Sequence, residues 1–340
     1  MNNSFMPSIF KKLDECDNIL LSGCGGGYDI FCALPLYFYL KNLGKKVSLA
    51  SLSFTDFDNI DKNSVKMVGD YCYIINKSIK FNKSRLEESS DVFSPEYYLS
   101  TWFDKVEHQD VGIYSFPLIG PKLLKSAYQD LWDEIRYDCV ILVDGGTDSL
   151  IQGDESGIGT FIEDLSSILS IGQLNIRKIK HRILISLGFG IDAYHGVKHY
   201  DILSNISDLI KSDGFLGCFT LEKDMQVVKK YISAIEFANK SNPQCESIVQ
   251  NSILSALYGK FGNYPVTENI KGNRLFINPL MSQIWCFDVS IVCDSLKVTP
   301  TMSIMEDMKE MEVLLAQQRD NKFGYSSKRL KIRPARNIPI

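Results

Sequence analysis

The sequence predicts a doubly wound α/β fold: a mostly parallel, Rossmann-like sheet with helices on both faces. Three observations carry this. Short apolar runs alternate with amphipathic segments as far as Gly259. The runs at 139–143 and 182–187 are apolar almost throughout, as expected of parallel strands buried on both faces. Three of the runs end in glycines, the chain's means of turning sharply from strand to helix.

Taken in order, residues 18–22 form a short apolar strand. Residues 28–43 read as one helix, stopped by Gly44 just past its end. Residues 46–54 are the next strand, completing a β-loop-α-β unit of parallel-crossover size. A polar linker follows at 56–64, and 76–93 is a loop-rich stretch suited to a lid over the strand ends. The helix over 94–106 opens on Ser-Pro-Glu, a cap with proline at the first helical position. Residues 112–116 are a strand, 121–136 a helix, 139–143 and 182–187 strands, 201–211 a helix and 214–220 a strand. Two helices are expected over 221–240 and 243–258. After Gly259 the pattern weakens, and 274–278 and 284–293 are assigned as strands at the sheet edge. Residues 303–319 form a helix whose Met305, Met308, Met311 and Leu315 share one face, as core filler does. One domain over 1–300 is followed by this helix and a basic tail in 301–340.

Composition narrows the function classes. The chain has 340 residues, 45% of them hydrophobic, and a formal net charge of -4. That balance gives no reason to expect nucleic-acid binding, which needs a basic face. No run reaches the roughly 18 apolar residues of a membrane span, since the longest candidate, 30–40, is broken by Pro35. The first twelve residues lack the apolar core of a signal peptide, so a cytoplasmic location is expected. Nine cysteines without a C-x-x-C pair speak for reduced thiols, many of them buried in strands (Cys139, Cys218, Cys286), rather than a zinc or disulfide framework.

The chemistry-bearing pattern occurs three times. A strand leads into Gly23-Cys24-Gly25-Gly26-Gly27-Tyr28-Asp29, another into Asp144-Gly145-Gly146-Thr147-Asp148, and a third into Gly188-Phe189-Gly190-Ile191-Asp192. Each is a buried strand, then glycines, then Gly-x-Asp. In open α/β sheets ligands bind beyond the carboxyl ends of the strands, where the strand order reverses. Three such loops would bring backbone N–H groups and carboxylates to one rim. The plain alternative is that the glycines only make turns and the aspartates only cap helices. His195 follows Asp192 on a glycine-bounded loop, a place for acid–base work. His199, four residues on, has a spacing that can hold a metal, though Gly196 lies between them. A second acidic loop contains Asp154 and Glu155 among glycines.

The first loop begins as a dinucleotide fingerprint, with Gly23-x-Gly25 after a strand, but Tyr28 stands where the third glycine belongs. Asp29 at the helix start would also repel a pyrophosphate. The loop suits a hydroxyl-rich group or a metal ion. Gly-Lys-Ser/Thr and Gly-x-Ser-x-Gly motifs are absent.

The Gly-Cys-Gly-Gly-Gly-x-Asp loop, the Asp-Gly-Gly-Thr-Asp-Ser segment at 144–149 and the Gly-Asp-Glu-x-Gly continuation at 153–157 resemble the bacterial and archaeal family of domain of unknown function 1152 over about the first 220 residues. The resemblance implies a Rossmann-like α/β fold and brings no activity with it.

The expected function is an enzyme of hydrolase or transferase type acting on a nucleotide or other ribosyl-containing ligand. The alternatives are a non-catalytic nucleotide-binding or sensor protein and, with its fingerprint broken, an NAD-dependent oxidoreductase. Catalysis falls to His195, Asp192 and Asp148. Ligand binding falls to Gly23, Gly25, Gly26, Gly27, Asp29, Asp144, Gly145, Gly146, Thr147, Asp154, Glu155 and Gly190. The expected cofactor is a divalent cation or a nucleotide. The expected partner is a small nucleotide-like molecule, with neither nucleic acid nor membrane, and homo-oligomers are left open.

Overall fold

The computed structural model describes residues 6–82, 93–264 and 275–323. The sheet is built from β1 (Asn18–Gly23), β2 (Lys46–Leu52), β3 (Lys66–Val68), β4 (Cys72–Ile75), β5 (Ile113–Phe116), β6 (Cys139–Asp144), β7 (His181–Leu187), β8 (Phe215–Thr220) and β11 (Gln283–Asp288). Their spatial order is β3-β4-β5-β2-β1-β6-β7-β11-β8. The five strands β5-β2-β1-β6-β7 are mutually parallel. Antiparallel β4 and β3 extend one side, and β11 runs antiparallel between β7 and β8 on the other. The chain leaves β1 toward β2 and β5, then returns to build β6 and β7 on β1's opposite flank. The strand order therefore reverses between β1 and β6, the place where open α/β sheets bind ligands beyond the carboxyl ends of their strands.

Two apolar layers sandwich the sheet, because side chains on a strand alternate between faces. Ile19, Leu21, Ile141, Val143, Ile183 and Ile185 enter one layer. That layer is covered by α1 (Ser8–Asp14), α2 (Asp29–Cys32), α3 (Leu34–Asn42), α4 (Pro95–Lys105), α8 (Gln226–Ser241) and α9 (Ile248–Leu257). Leu20, Val140, Leu142 and Leu184 enter the other. Its helices are α5 (Pro121–Ile135), α6 (Phe161–Gly172), α7 (His199–Lys211), α10 (Val289–Ser295) and α11 (Met308–Phe323). This is the doubly wound, Rossmann-like α/β arrangement that the strand and helix alternation predicts.

Several elements differ from the sequence expectation. The helix expected over 28–43 is two helices, because Pro35 in the first turn of α3 has no N–H with which to continue α2. Gly44 does end α3, with φ +76° and its N–H bonded to Lys41 O. The strand expected over 284–293 stops at Asp288, whose side chain accepts the N–H of Ser290 and starts α10. It lies inside the sheet rather than at its edge, since β8 occupies the edge beyond it. Of the strand expected over 274–278, residue 274 lies outside the described residues, and the rest does not join the main sheet: β10 (Leu275–Ile277) pairs with β9 (Gly262–Tyr264) in a separate ribbon. Strands β3 and β4 and helix α6 have no counterpart in the sequence reading. Within 303–319, α11 begins only at Met308, and Met305 lies in the connection before it. Met308, Met311 and Leu315 are buried in the second layer, where an unbranched thioether fits irregular gaps. Ten residues of the expected lid, 83–92, and the tail beyond 323 lie outside the described residues. All nine cysteines are free thiols; Cys218, on edge strand β8, is exposed rather than buried. No helix among the described residues is long and apolar enough to cross a membrane.

Trp102 ties the first layer together. It is fully buried on α4, packs edge-on against Phe38 and Phe103, and donates its indole N–H to Ser233 Oγ of α8 at 3.2 Å. Trp102→Ala is expected to cost about 3–5 kcal/mol of folding stability, measured by urea unfolding followed in the far-UV circular dichroism.

Candidate functional site

The three Gly-x-Asp loops do meet at the carboxyl ends of β1, β6 and β7, because those strands are adjacent and parallel. Asp29 opens α2 and reaches back to accept the Gly25 N–H through Oδ2 at 2.7 Å. Its other oxygen, Oδ1, lies against Gly145, where a methyl group would stand 2.8 Å away. One carboxylate thus spans the loops after β1 and β6. Asp144 is the last residue of β6, and Oδ2 accepts the Ser149 hydroxyl. Asp148 Oδ2 accepts both the N–H and the hydroxyl of Thr160, at 2.8 and 2.9 Å. Asp192 Oδ2 accepts the N–H and hydroxyl of Thr147, at 2.6 and 3.2 Å, and so braces the β6 loop from the β7 loop.

The glycines are there for close approach. A methyl group on Gly146 would stand 2.8 Å from Asp192 Oδ2, and one on Gly25 would stand 2.7 Å from Asp164 Oδ2. Gly26 and Gly27 have φ of +91° and +60°, a backbone region that glycine enters without strain. Both lie under the ring of Phe54, which follows β2 and remains 39% exposed. Gly23 is the final residue of β1.

A fifth carboxylate completes the cluster. Asp164, in the first turn of α6, is 1% exposed. Oxygen atoms of Asp29, Asp144 and Asp164 all lie within 4.8 Å of one another. The sequence reading missed Asp164 because it missed α6. The available signal was Thr160-Phe-Ile-Glu163, a capping-box pattern before an apolar run. Phe54 was seen only as the end of a strand.

Other expected site residues are occupied elsewhere. Asp154 forms ion pairs with Lys297 and Lys322, tying its loop to the C-terminal segment. Glu155 accepts the N–H groups of Gln152 and Gly153 and the Asn205 amide, so it folds its own loop. Gly190, with φ +93°, packs against the His199 ring, which also rests on Phe189. His199 begins α7, while His195 lies in a 3-10 turn ended by Gly196 at φ +90°, so the pair does not share a helical face. His195 is exposed at the rim, its charged form close enough to Asp148 to favour that carboxylate's ionisation.

Burial dominates the electrostatics. It pushes the Asp29 carboxyl up to about 8, with the Asp148 charge adding to the rise and the Gly25 and Gly145 N–H groups opposing it. Burial also raises Asp144, Asp164 and Asp192 well above the usual carboxylate range, and Asp148 adds to each. Asp148 itself is raised by burial, against the Thr160 hydrogen bonds and His195. Glu163, beside the cluster on α6, is pushed up to about 7 by burial first and Asp148 second.

These shifts have a sign. A carboxyl whose folded value lies above its unfolded value of about 4 binds protons more tightly when folded. Its stability contribution is full below about pH 4 and is lost as pH rises through the folded value. Because Asp148 is a common source of repulsion, Asp148→Asn should raise the melting temperature of the free protein at pH 8. The Asn carbonyl can still accept from Thr160. A gain on the order of 1 kcal/mol, or about 2 °C, is expected, shrinking at pH 5, which lies below the raised values of Asp29 and Glu163. Scanning calorimetry in metal-free buffer at both pH values measures this, and a variant equally destabilised at both would make Asp148 a simple helix-entry cap.

Comparison with known proteins yields one match. No curated protein and no solved structure matches the chain. The sequence profile of a protein family described as "Protein of unknown function (DUF1152)" matches residues 96–324. The match extends further toward the C-terminus than the 220 residues that the sequence motifs suggested, and it starts after the first glycine loop. It contains Asp144, Asp148, Asp164, Asp192 and His195, while Asp29 lies before it. Spanning residues 96–324 of 340, the match shows that this chain belongs to the DUF1152 family.

Proposed function

We propose that this protein is a hydrolase or transferase that binds a nucleoside- or nucleotide-like, ribosyl-containing ligand over the loops at the ends of β1 and β6. The observation that carries this reading is the pair of groups flanking the first glycine loop. Asp29 is partly exposed at the point where strand order reverses, and Phe54 lies on Gly26 and Gly27 with its ring still 39% exposed. A carboxylate fixed by a backbone N–H suits sugar hydroxyls, and an aromatic face suits a base. A phosphate fits this loop poorly. The Gly25 N–H already serves Asp29, and α2 has only four residues, too short for a useful dipole. The same facts weigh against a pyrophosphate-bound nicotinamide cofactor.

In this reading His195 is the acid–base residue, because it is exposed at the rim and electrostatically linked to Asp148. Asp192 holds the Thr147 loop in place and acts as a positioning residue. Bond breaking at a ribosyl carbon would draw on His195 to give a proton to the leaving group and on a rim carboxylate to offset the positive charge that develops at that carbon as water or an acceptor hydroxyl attacks it.

The test is calorimetric titration of the full chain with adenosine, ribose 5-phosphate and NAD+, followed by product analysis. A ribosyl ligand should bind saturably, and Phe54→Ala should weaken base-containing ligands about tenfold, the worth of one stacked base. His195→Ala should leave binding in place and lower turnover by roughly a hundredfold or more. Saturable binding without turnover would turn the reading to a nucleotide sensor, and absence of any binding would remove it.

A further inference from the structure

Asp164 is left unused by this reading, yet it is only 1% exposed. Its Oδ1 is buried and meets no hydrogen-bond donor. A carboxylate oxygen stripped of water and given no partner is strongly unfavourable, and buried charges persist where they are paired or bind metal. Besides the Cys24 thiol, a weak donor, the groups that Asp164 faces are two more carboxylates, with oxygens of Asp29, Asp144 and Asp164 within 4.8 Å of one another.

That spacing is the span of one ion. Oxygens on opposite sides of an octahedral Mg2+ with bonds of about 2.1 Å stand about 4.2 Å apart, and adjacent ones about 3 Å. Small side-chain adjustments would therefore bring all three onto a common centre. The donor set is oxygen only, which selects hard cations over zinc or copper. Hydrogen bonds from Gly25 N–H to Asp29 and from the Ser149 hydroxyl to Asp144 fix two of the three carboxylates, as supporting groups do around metal ligands. The absence of a side chain at residue 25 keeps the space open. A methyl group there would stand 2.7 Å from Asp164 Oδ2 and 3.0 Å from Asp29 Oδ2.

We propose that Asp29, Asp144 and Asp164 together hold one divalent cation of the Mg2+/Mn2+ class. The ligands come from the loop after β1, the end of β6 and the first turn of α6. The partly exposed side at Gly25 and Asp29 is left for water or an oxygen of a bound molecule. Site formation joins α6 to the two central strands, so ion binding also ties the second helical layer to the switch point.

The test uses the full chain, treated with chelator, desalted and titrated with MnCl2 alone while free Mn2+ is followed by electron paramagnetic resonance. One saturable Mn2+ per chain is expected, displaced by Mg2+. Asp164→Asn should weaken it by roughly tenfold or more, with an unchanged circular dichroism spectrum, and Gly25→Ala should weaken it as well. Absence of a saturable site in the parent chain overturns the proposal, and so does parent-like affinity in either variant. If the Asp164 variant fails to fold, the parent titration and Gly25→Ala decide. No nucleoside is present, so the result stands apart from the ligand reading above.

Discussion

Strands β1 and β6 lie side by side in the same direction, from Ile19 opposite Cys139 to Gly23 opposite Val143, and the chain departs from them to opposite halves of the sheet. Everything at the site follows from that pairing. Helix connections diverging from two parallel neighbours cannot fill the gap above them, so loops must. The loop after β1 and the loop after β6 are therefore forced against each other. They can approach only because glycines stand at the contact, with Gly145 under Asp29 and Gly25 against Asp164. The Cys24 N–H donates to Val143 O at 2.8 Å and carries the pairing one residue beyond the strand, into the loop itself.

The crowding of five carboxylates at this rim is an arrangement that folding alone would not favour. A core built only for stability would put apolar or hydrogen-bonded neutral groups at such positions. Here Asp29, Asp144, Asp148 and Asp192 are individually supported by threonine, serine and backbone donors, while Asp164 Oδ1 meets none, and the group is collectively repulsive. Local support with collective strain is the pattern expected where a site has been kept for what it binds.

Much of the frame could be read from the sequence, and the reasons are particular. The runs at 139–143 and 182–187 announce buried parallel strands because both of their faces are apolar, and the three Gly-x-Asp loops announce the rim because each follows such a strand. What the sequence hid was long-range. Asp164 lies in a stretch with no element assigned from sequence, and only the packing of α6 against the β6 loop brings it to Asp29. Asp154 and Glu155 looked like ligand residues, but their partners Lys297, Lys322 and Asn205 lie far along the chain. The expected edge strand at 284–293 went astray for the same reason, since nothing local distinguishes an inserted antiparallel strand from an edge one.

That inserted strand constrains how the protein can be made. Among the described residues, edge strand β8 pairs in the sheet with β11 alone, which lies between it and β7. As the chain emerges from the ribosome, β7 and β8 are finished while residues 221–282 are still to come, and the slot between them has no occupant. The parallel half through β7 can assemble early, but β8 must wait, unpaired or mispaired, until Gln283–Asp288 arrives. Either β11 adds to β7 and then receives β8, or β8 and β11 pair first and dock on β7 together; by both routes this half of the sheet closes only after Gln283–Asp288 has been made.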